Sequence, residues 1–195
     1  MGSGRPPFSG VVLTGGASTR MGTDKALLPV GDRALVTVAA TALRDAGAAE
    51  VLAVGGDLGS LGALGLDARP DDDPGEGPLG GILTALRLAS ADPVVVLACD
   101  MPGIDRATVL ALVDALVADP SADVAAASDG GRVQPLTAAY RTRARPMLAE
   151  AFAAGERAVR RALAPMRVVL VDGLTRAALA DVDRPEDLRR YAHPS

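Results

Sequence analysis

The sequence predicts a single α/β domain built on a mostly parallel β-sheet. Up to Ala118, short apolar runs bounded by glycine, proline and acidic residues alternate with segments of helical periodicity. The 195 residues suit one domain, and a hydrophobic content of 49% supplies its core. We predict residues 10–195 to form this domain and residues 1–9 to be a flexible leader.

The predicted elements follow in order. The run 10–14 ends in two glycines and indicates a buried strand. Further strands are predicted over 51–54, 93–98 and, more weakly, 66–69, with helices over 32–46, 79–89 and 105–118, the last opened by Asp105 as N-cap. Such an alternation favours right-handed crossovers and parallel pairing. After Ser121 the rhythm changes, with strands over 123–128, 134–140 and 168–171 and helices over 146–154, 157–163 and 185–191.

Charge and composition exclude several classes of function. The net charge of −4, with two Phe, two Tyr and no Trp, disfavours a nucleic-acid partner. Cys99 is the sole cysteine, so no intrachain disulfide forms, which fits a reducing cytoplasm. We find no signal segment in residues 1–9 and no apolar run near the roughly 20 residues that span a bilayer. We therefore expect a cytoplasmic protein without a membrane or nucleic-acid partner.

A glycine turn with nearby cations is the first candidate site. The turn is formed by Leu13, Thr14, Gly15 and Gly16. Glycines let backbone N–H groups approach an anion, and Arg20 and Lys25 add positive charge for a phosphate ligand. The plainer alternative is a tight strand-to-helix turn with solvated cations. The spacing matches neither the P-loop nor the dinucleotide fingerprint.

Asp100 is the second candidate, because it follows the most apolar strand of the chain. Open α/β sheets bind ligands at the carboxyl ends of their strands, so Asp100 should share an edge with the glycine turn. A carboxylate in that place suits Mg²⁺, although it could instead cap the turn before Pro102. We interpret Cys99 as a packing residue, because no basic partner for a thiolate is visible.

Two further acidic segments are candidates. Asp71 follows the weak strand and is expected to contact the nucleotide, whereas Asp72 and Asp73 fit a solvated loop equally well. Gly80 and the neighbouring Gly81 would let a helix start pack closely.

Near the end of the chain, Asp181 and Asp183 would face the same way on a strand. They form either a second metal position or an N-cap for the helix that Pro185 opens. His193 is interpreted as a solvated residue.

Taken together, these motifs resemble the molybdenum cofactor guanylyltransferases. The resemblance runs from about Gly10 to Tyr191 and is carried by five segments. They are the start Leu-Thr-Gly-Gly…Arg-Met-Gly-Thr-Asp-Lys-Ala-Leu-Leu-Pro (13–29), Gly-Pro-Leu-Gly-Gly (77–81), Cys-Asp-Met-Pro (99–102), Ala-Gly-Glu-Arg-Ala-Val (154–159) and Asp-Val-Asp-Arg-Pro-Glu-Asp-Leu (181–188). The first segment alone is typical of the wider nucleotidyltransferase superfamily.

The resemblance implies a Rossmann-like three-layer α/β sandwich with a mostly parallel twisted sheet, the nucleotidyltransferase fold. It implies GTP and molybdenum-molybdopterin as substrates, Mg²⁺ as cofactor, and a guanine dinucleotide cofactor and pyrophosphate as products. The GTP site falls on Leu13 to Gly16, Lys25, Asp71, Gly80 and Asp100, with Arg20, Lys25 and Asp100 as catalytic residues. By the resemblance the Mg²⁺ ligand is Asp100 and the pterin side falls on Gln134, Pro135 and residues 181–183. Asp183 is a candidate second metal ligand on the residues alone. Transient contact with molybdopterin-handling proteins or apo-molybdoenzymes is also implied.

The sequence departs from the family pattern at two places. Thr14 stands where alanine is usual, and Asp181 and Asp183 stand where both residues are commonly asparagine. The two adjacent glycines favour GTP over CTP. The alternatives are a CTP-dependent molybdopterin cytidylyltransferase, a nucleotidyltransferase with another phosphate acceptor, and a non-catalytic nucleotide- or cofactor-binding protein. Retention of Lys25 and Asp100 argues against the last.

Overall fold

The computed structural model describes residues 5–15 and 24–182. Its strands are β1 (Ser9–Leu13), β2 (Pro29–Val30), β3 (Arg33–Ala34), β4 (Glu50–Val54), β5 (Asp67–Arg69), β6 (Val94–Ala98), β7 (Val124–Asp129), β8 (Arg132–Tyr140) and β9 (Val168–Val171). Its α-helices are α1 (Leu35–Asp45), α2 (Leu58–Ala63), α3 (Pro78–Leu88), α4 (Arg106–Ala118), α5 (Arg145–Ala153), α6 (Val159–Ala162) and α7 (Arg176–Leu179). Two 3₁₀ helices cover Lys25–Leu27 and Thr142–Ala144.

Seven strands form one sheet in the order β5-β4-β1-β6-β8-β7-β9. The strands β5, β4, β1 and β6 are parallel neighbours, and so are β7 and β9. Strand β8 runs antiparallel between β6 and β7. The predicted mostly parallel sheet is confirmed, and the single reversed strand lies next to the strand that leads to Asp100.

Helices cover both faces of the sheet, and the side chains of each strand alternate between them. On β1, Val12 faces a core shared with α1 and α4, whereas Val11 and Leu13 face a core shared with α3, α5 and α6. Every residue of β1 is buried, which explains why it is a continuous apolar run. The predicted three-layer sandwich is therefore confirmed.

The structure corrects several predicted boundaries. The helix predicted from residue 32 begins at Leu35, because β2 and β3 pair as a small hairpin just before it. The helix predicted over 157–163 is shortened to α6, because the Glu156 carboxylate accepts the backbone N–H groups of Arg157 and Ala158. Strand β8 begins earlier than predicted, after a turn in which Gly130 and Gly131 have φ of 57° and 82°.

Two short helices were not predicted from the sequence. Helix α2 carries two glycines and is held at its start by Asp57, whose carboxylate accepts the N–H of Ser60 at 2.7 Å. Helix α7 is only one turn long and has Thr175 as its N-cap. Neither segment is long enough to display a helical period.

Packing begins inside the segment predicted to be a leader. Phe8 is buried in the core, β1 starts at Ser9, and an Arg5 terminal nitrogen donates to Asp114 Oδ2 at 2.7 Å. The helix predicted over 185–191 lies outside the described residues. None of the helices in the described ranges has the length and apolarity to cross a membrane.

Candidate active site

The glycine turn is fastened to the end of the neighbouring parallel strand. Leu13 ends β1, and the Thr14 N–H donates to Val54 O at 2.9 Å. The Thr14 hydroxyl lies 3.0 Å from Val54 O and 2.8 Å from Gly55 O, to which it can donate. Gly15 follows and is exposed. The first residues of the turn are thus held by β4, while the next one faces solvent.

Gly55 and Gly56 pack against this turn, and sequence reasoning missed them. Both have positive φ, 85° and 69°. A Cβ on Gly55 would lie 2.9 Å from the Gly15 Cα and N, and one on Gly56 would lie 3.0 Å from the Thr14 hydroxyl. A side chain at position 55 would clash with the Gly15 backbone, so the close approach of these two segments requires glycine. The available signal was the second strand-Gly-Gly pattern in the chain, which repeats the pattern at Leu13.

Lys25 and Asp100 are brought together at the end of β6. Lys25 Nζ lies 2.9 Å from Asp100 Oδ2, and the two side chains are 16% and 27% exposed. Strand β6 pairs with β1, and the Cys99 N–H donates to Leu13 O at 3.2 Å, so Asp100 lies beside the glycine turn. Asp24 caps the 3₁₀ helix by accepting the Ala26 N–H at 3.0 Å, which fixes the start of the helix that carries Lys25.

Cys99 is not a nucleophile in this arrangement. Burial, reinforced by the negative charges of Asp100 and Asp24, raises the pKa of the Cys99 thiol to about 12. The thiol stays protonated at neutral pH and packs in the core beneath the site.

The acidic residues of the loop before α3 differ in burial and in hydrogen-bond partners. Asp71 is half-buried, and its Oδ1 accepts the Thr84 hydroxyl at 2.9 Å and the Asp73 N–H at 3.2 Å. Asp72 instead makes a two-pronged ion pair with Arg87, at 2.6 and 2.7 Å. Asp72 therefore belongs to the surface, and Asp71 to the wall between α3 and β1.

The start of α3 packs closely because it carries glycines. A Cβ on Gly80 would lie 3.2 Å from the Asp73 Cβ, and one on Gly81 would lie 3.3 Å from the Leu13 side chain. This places the N-terminal turn of α3 directly against the end of β1. The first turn of α3, the glycine turn and Asp71 thus lie around one region of the sheet edge.

A cavity of about 550 Å³ lies on the other side of Asp100. We call it the hairpin cavity, because β8 of the β7–β8 hairpin forms one wall with Gln134, Pro135, Leu136 and Thr137. Asp100, Arg160 of α6 and Asp181 also line it. The Val182 N–H donates to Asp100 O at 2.9 Å, which holds Asp181 close to the end of β6.

The β8 wall is shaped by a bulge. Ala126 and Ala127 of β7 pair with Ala138 and Gln134, so residues 135–137 are extra relative to β7. The fully buried Tyr140 donates its hydroxyl to Pro135 O at 2.6 Å, and burial raises its pKa so that the proton is retained. Bulges are common beside active sites, where they redirect side chains. The signal for this one was the proline inside a predicted central strand.

Arg157 and Glu156 of the Ala-Gly-Glu-Arg segment brace the turn before α6. Arg157 Nε donates to Glu76 Oε2 at 2.7 Å, and its guanidinium lies 4.0 Å from the centre of the Phe152 ring. Arg161 and the Ala158 N–H lower the pKa of Glu156 to about 2. This segment therefore links the loop before α3 to the wall of the hairpin cavity.

Three predicted site residues, Gly16, Arg20 and Asp183, lie outside the described residues. Within the ranges that the structure does describe, no three His, Cys, Asp or Glu side chains cluster as a ready-made metal site. Within these ranges Asp100 is the carboxylate that pairs with Lys25 at 2.9 Å, and Lys25 has further interactions.

Comparison with known proteins gives one consistent result. The profile of the MobA-like NTP transferase domain matches residues 10–169. A probable molybdenum cofactor guanylyltransferase of Deinococcus radiodurans is 35% identical over 182 residues, covering 93% of this chain and 92% of the relative. A molybdenum cofactor guanylyltransferase of Pseudomonas putida is 36% identical over 163 residues, covering 81% of this chain and 83% of the relative.

Solved structures agree at the level of the fold. The crystal structure of molybdopterin-guanine dinucleotide biosynthesis protein A from Archaeoglobus fulgidus superposes with a TM-score of 0.75 at 23% identity, covering 94% of this chain and 96% of that one. The 2-C-methyl-D-erythritol 4-phosphate cytidylyltransferase of Thermus thermophilus gives 0.69 at 24%, covering 93% and 96%. The fold is therefore the one that these nucleotidyltransferases share.

Proposed function

Since the chain belongs to the MobA-like NTP transferase family, we propose that it transfers GMP from GTP to molybdenum-molybdopterin. The products are the molybdopterin guanine dinucleotide cofactor and pyrophosphate. The observation that carries the proposal is the Lys25–Asp100 pair, which stands between a glycine turn and a cavity of small-molecule size.

The nucleotide occupies the side of the glycine turn. Leu13 and Thr14 position the exposed backbone of Gly15 against it. Gly16 and Arg20, which lie outside the described residues, are proposed contacts of the phosphates. Asp71 and the helix start at Gly80 border the same region, where contact with the nucleotide is expected. The packing of Gly55 against the Gly15 backbone supports this assignment, because the exposed Gly15 has no side chain of its own between its backbone and a ligand.

Molybdenum-molybdopterin occupies the hairpin cavity. Gln134 and Pro135 of β8 and Asp181 line its wall, and Asp100 lies where the two sides meet. The product must be received by other proteins, so we extend the proposal to transient contact with molybdopterin-handling proteins or apo-molybdoenzymes.

Transfer requires little covalent chemistry from the protein. An oxygen of the acceptor phosphate attacks the α-phosphorus of GTP, and the bond to the β-phosphate oxygen breaks as pyrophosphate leaves. A deprotonated phosphate is already a nucleophile, so no general base is needed. Lys25 stabilises the charge that develops on the leaving pyrophosphate, and the turn and the cavity hold the two anions in line.

Membership of the family is consistent with a divalent metal, and we propose Mg²⁺ held by Asp100. The residue fits, because its carboxylate is partly exposed and lines the cavity while Lys25 binds one of its oxygens. Mg²⁺ typically takes one or two protein carboxylates and completes its shell with substrate phosphates and water. When bound, it would neutralise charge on the phosphate oxygens. Asp183 is the proposed second position.

The proposal is tested by measuring pyrophosphate release with GTP, CTP and ATP, with and without molybdenum-molybdopterin, across a magnesium titration. GTP with acceptor should give the fastest release. In the Asp100→Asn variant the rate of pyrophosphate release should fall on the order of 10²-fold at low magnesium, by analogy with removal of one preorganised charged group.

Asp183→Asn is the second variant, and its effect should be mild, because it restores the common family residue. Faster release with CTP would assign the chain to the cytidylyl branch. Full activity of Asp100→Asn at low magnesium would show that the metal lies on another carboxylate.

A further inference from the structure

Two arginines of the hairpin cavity have no part in the chemistry described so far. Arg132 is the first residue of β8 and Arg160 belongs to α6, and both line the cavity together with Asp100. Neither guanidinium lies within 4.0 Å of a carboxylate among residues 5–15 and 24–182, although other arginines such as Arg141 and Arg143 do.

The strand register places Arg132 at the outer end of the cavity. Leu97 pairs with Thr137, and β6 ends at the next residue, whereas β8 continues outward as far as Arg132. The overhanging part of β8 spans at most about 17 Å at 3.4 Å per residue. Thr137 and Asp100 therefore mark the inner end of the cavity and Arg132 the outer end.

Arg160 is fixed at the same end. Its Nε donates to Val133 O at 2.8 Å, and Val133 is the neighbour of Arg132. This bond holds the guanidinium beside the strand and uses only one of its five N–H groups, which leaves both terminal nitrogens for a ligand.

The negative charges that line the cavity indicate a role for these two cations in binding an anion. Asp100, Asp129 and Asp181 also line the cavity, so an anionic acceptor meets three carboxylates on entering. Guanidinium groups bind oxyanions through paired N–H donors and stay charged at every working pH. Two arginines without a carboxylate partner in the described chain offset this repulsion and supply donors.

We propose that Arg132 and Arg160 form an oxyanion-binding site for the acceptor at the outer end of the hairpin cavity. The inference rests on the proposed function, because it assumes that the acceptor occupies this cavity. The oxyanion is the oxo-molybdenum group of the acceptor, because the acceptor phosphate must lie at the inner end, beside Asp100, to attack GTP. The oxo oxygens accept hydrogen bonds from a guanidinium.

Steady-state transfer at saturating GTP tests the site. Arg132→Gln, Arg160→Gln and the double variant are compared with Arg145→Gln, an exposed arginine of α5 that does not line the cavity. Each cavity variant should raise KM for molybdenum-molybdopterin roughly 10-fold, the size of a lost hydrogen bond to a charged group, and leave KM for GTP unchanged. The control should behave as the wild type.

A second acceptor identifies the oxyanion. If metal-free molybdopterin suffers the same rise in KM, the proposal is overturned, because that acceptor carries no oxo-molybdenum group. If only the molybdenum-loaded acceptor suffers it, they bind the oxo-molybdenum group. A double variant that keeps the wild-type KM for both acceptors, or raises KM for GTP equally, overturns the proposal.

A binding measurement separates this inference from the proposed function. With a non-cleavable GTP analogue and Mg²⁺ filling the nucleotide side, molybdate or inorganic phosphate should raise the melting temperature of the wild type and of Arg145→Gln, but not of the double variant. If the wild type transfers GMP to neither acceptor, the proposed function fails and this titration alone decides. Equal shifts in all variants would then overturn the oxyanion site.

Discussion

The two sides of the site are built by different means. The nucleotide side rests on parallel strands and on glycine backbones in contact, as between Gly15 and Gly55. The hairpin cavity is lined by side chains from a reversed, bulged strand and two short helices. In the first construction an added Cβ at Gly55 would meet the Gly15 backbone, whereas the wall of the second is made of side chains. A substitution should therefore disturb the backbone on the proposed nucleotide side and only the lining on the proposed acceptor side.

The largest effect should come from the residue on the border between the two sides. Lys25→Ala should lower kcat on the order of 10²-fold, because it removes a preorganised cation from the leaving group. Neither the melting temperature nor KM for the acceptor should change much. Arg33→Ala is the control, since Arg33 is an exposed cation nearby in the chain. A Lys25→Ala enzyme of normal kcat would remove Lys25 from the chemistry.

An added methyl group tests the nucleotide side. Gly55→Ala forces a side chain into φ of 85° and within 2.9 Å of the Gly15 backbone, so it should cost about 1–3 kcal/mol of stability and raise KM for GTP. Gly47→Ala is matched, because its φ is 88° and nothing lies within 4 Å of its added Cβ. The Gly47→Ala variant should lose only the stability that a side chain at positive φ costs, and its KM for GTP should stay unchanged. Equal KM values in the two variants would contradict the backbone-contact account.

The smallest effect is expected on the acceptor side. Tyr140→Phe leaves Pro135 O without the hydroxyl that now donates to it, which should cost about 1 kcal/mol. The loosened bulge should raise KM for the acceptor a few-fold, while KM for GTP stays constant. Calorimetric stability and both KM values provide the measurement. A change in KM for GTP instead would show that the two sides are coupled rather than separate.

Sequence reasoning succeeded where the requirement is local. The strand that ends in Gly15, and the carboxylate Asp100 after the most apolar strand, follow from contiguous patterns and from the rule that strand ends share an edge. Their adjacency through Lys25 is the consequence of β6 pairing with β1. The roles of these residues in catalysis stay predictions.

Reasoning from sequence was less successful where distant segments meet. The place of β8 between β6 and β7 depends on pairing partners that no local pattern encodes. Asp72 could not be assigned to the surface rather than to the site, because its partner Arg87 lies in the last turn of α3. Gly55 and Gly56 carry no cationic neighbours of the kind that drew attention to Gly15, although an added Cβ would have less room at either of them than at Gly15.

The overhang of β8 has a consequence for how such an enzyme can be remodelled. Its tip is the exposed turn at Gly130 and Gly131, where nothing in the described part of the chain lies within 4 Å of an added Cβ. Adding one residue to each arm of this hairpin would lengthen both arms together, and adding two would also return every side chain to its own face. If the acceptor occupies the cavity as proposed, insertion at this single exposed tip should change the depth of the cavity, and with it the length of acceptor that fits, while the glycine turn is left as it is.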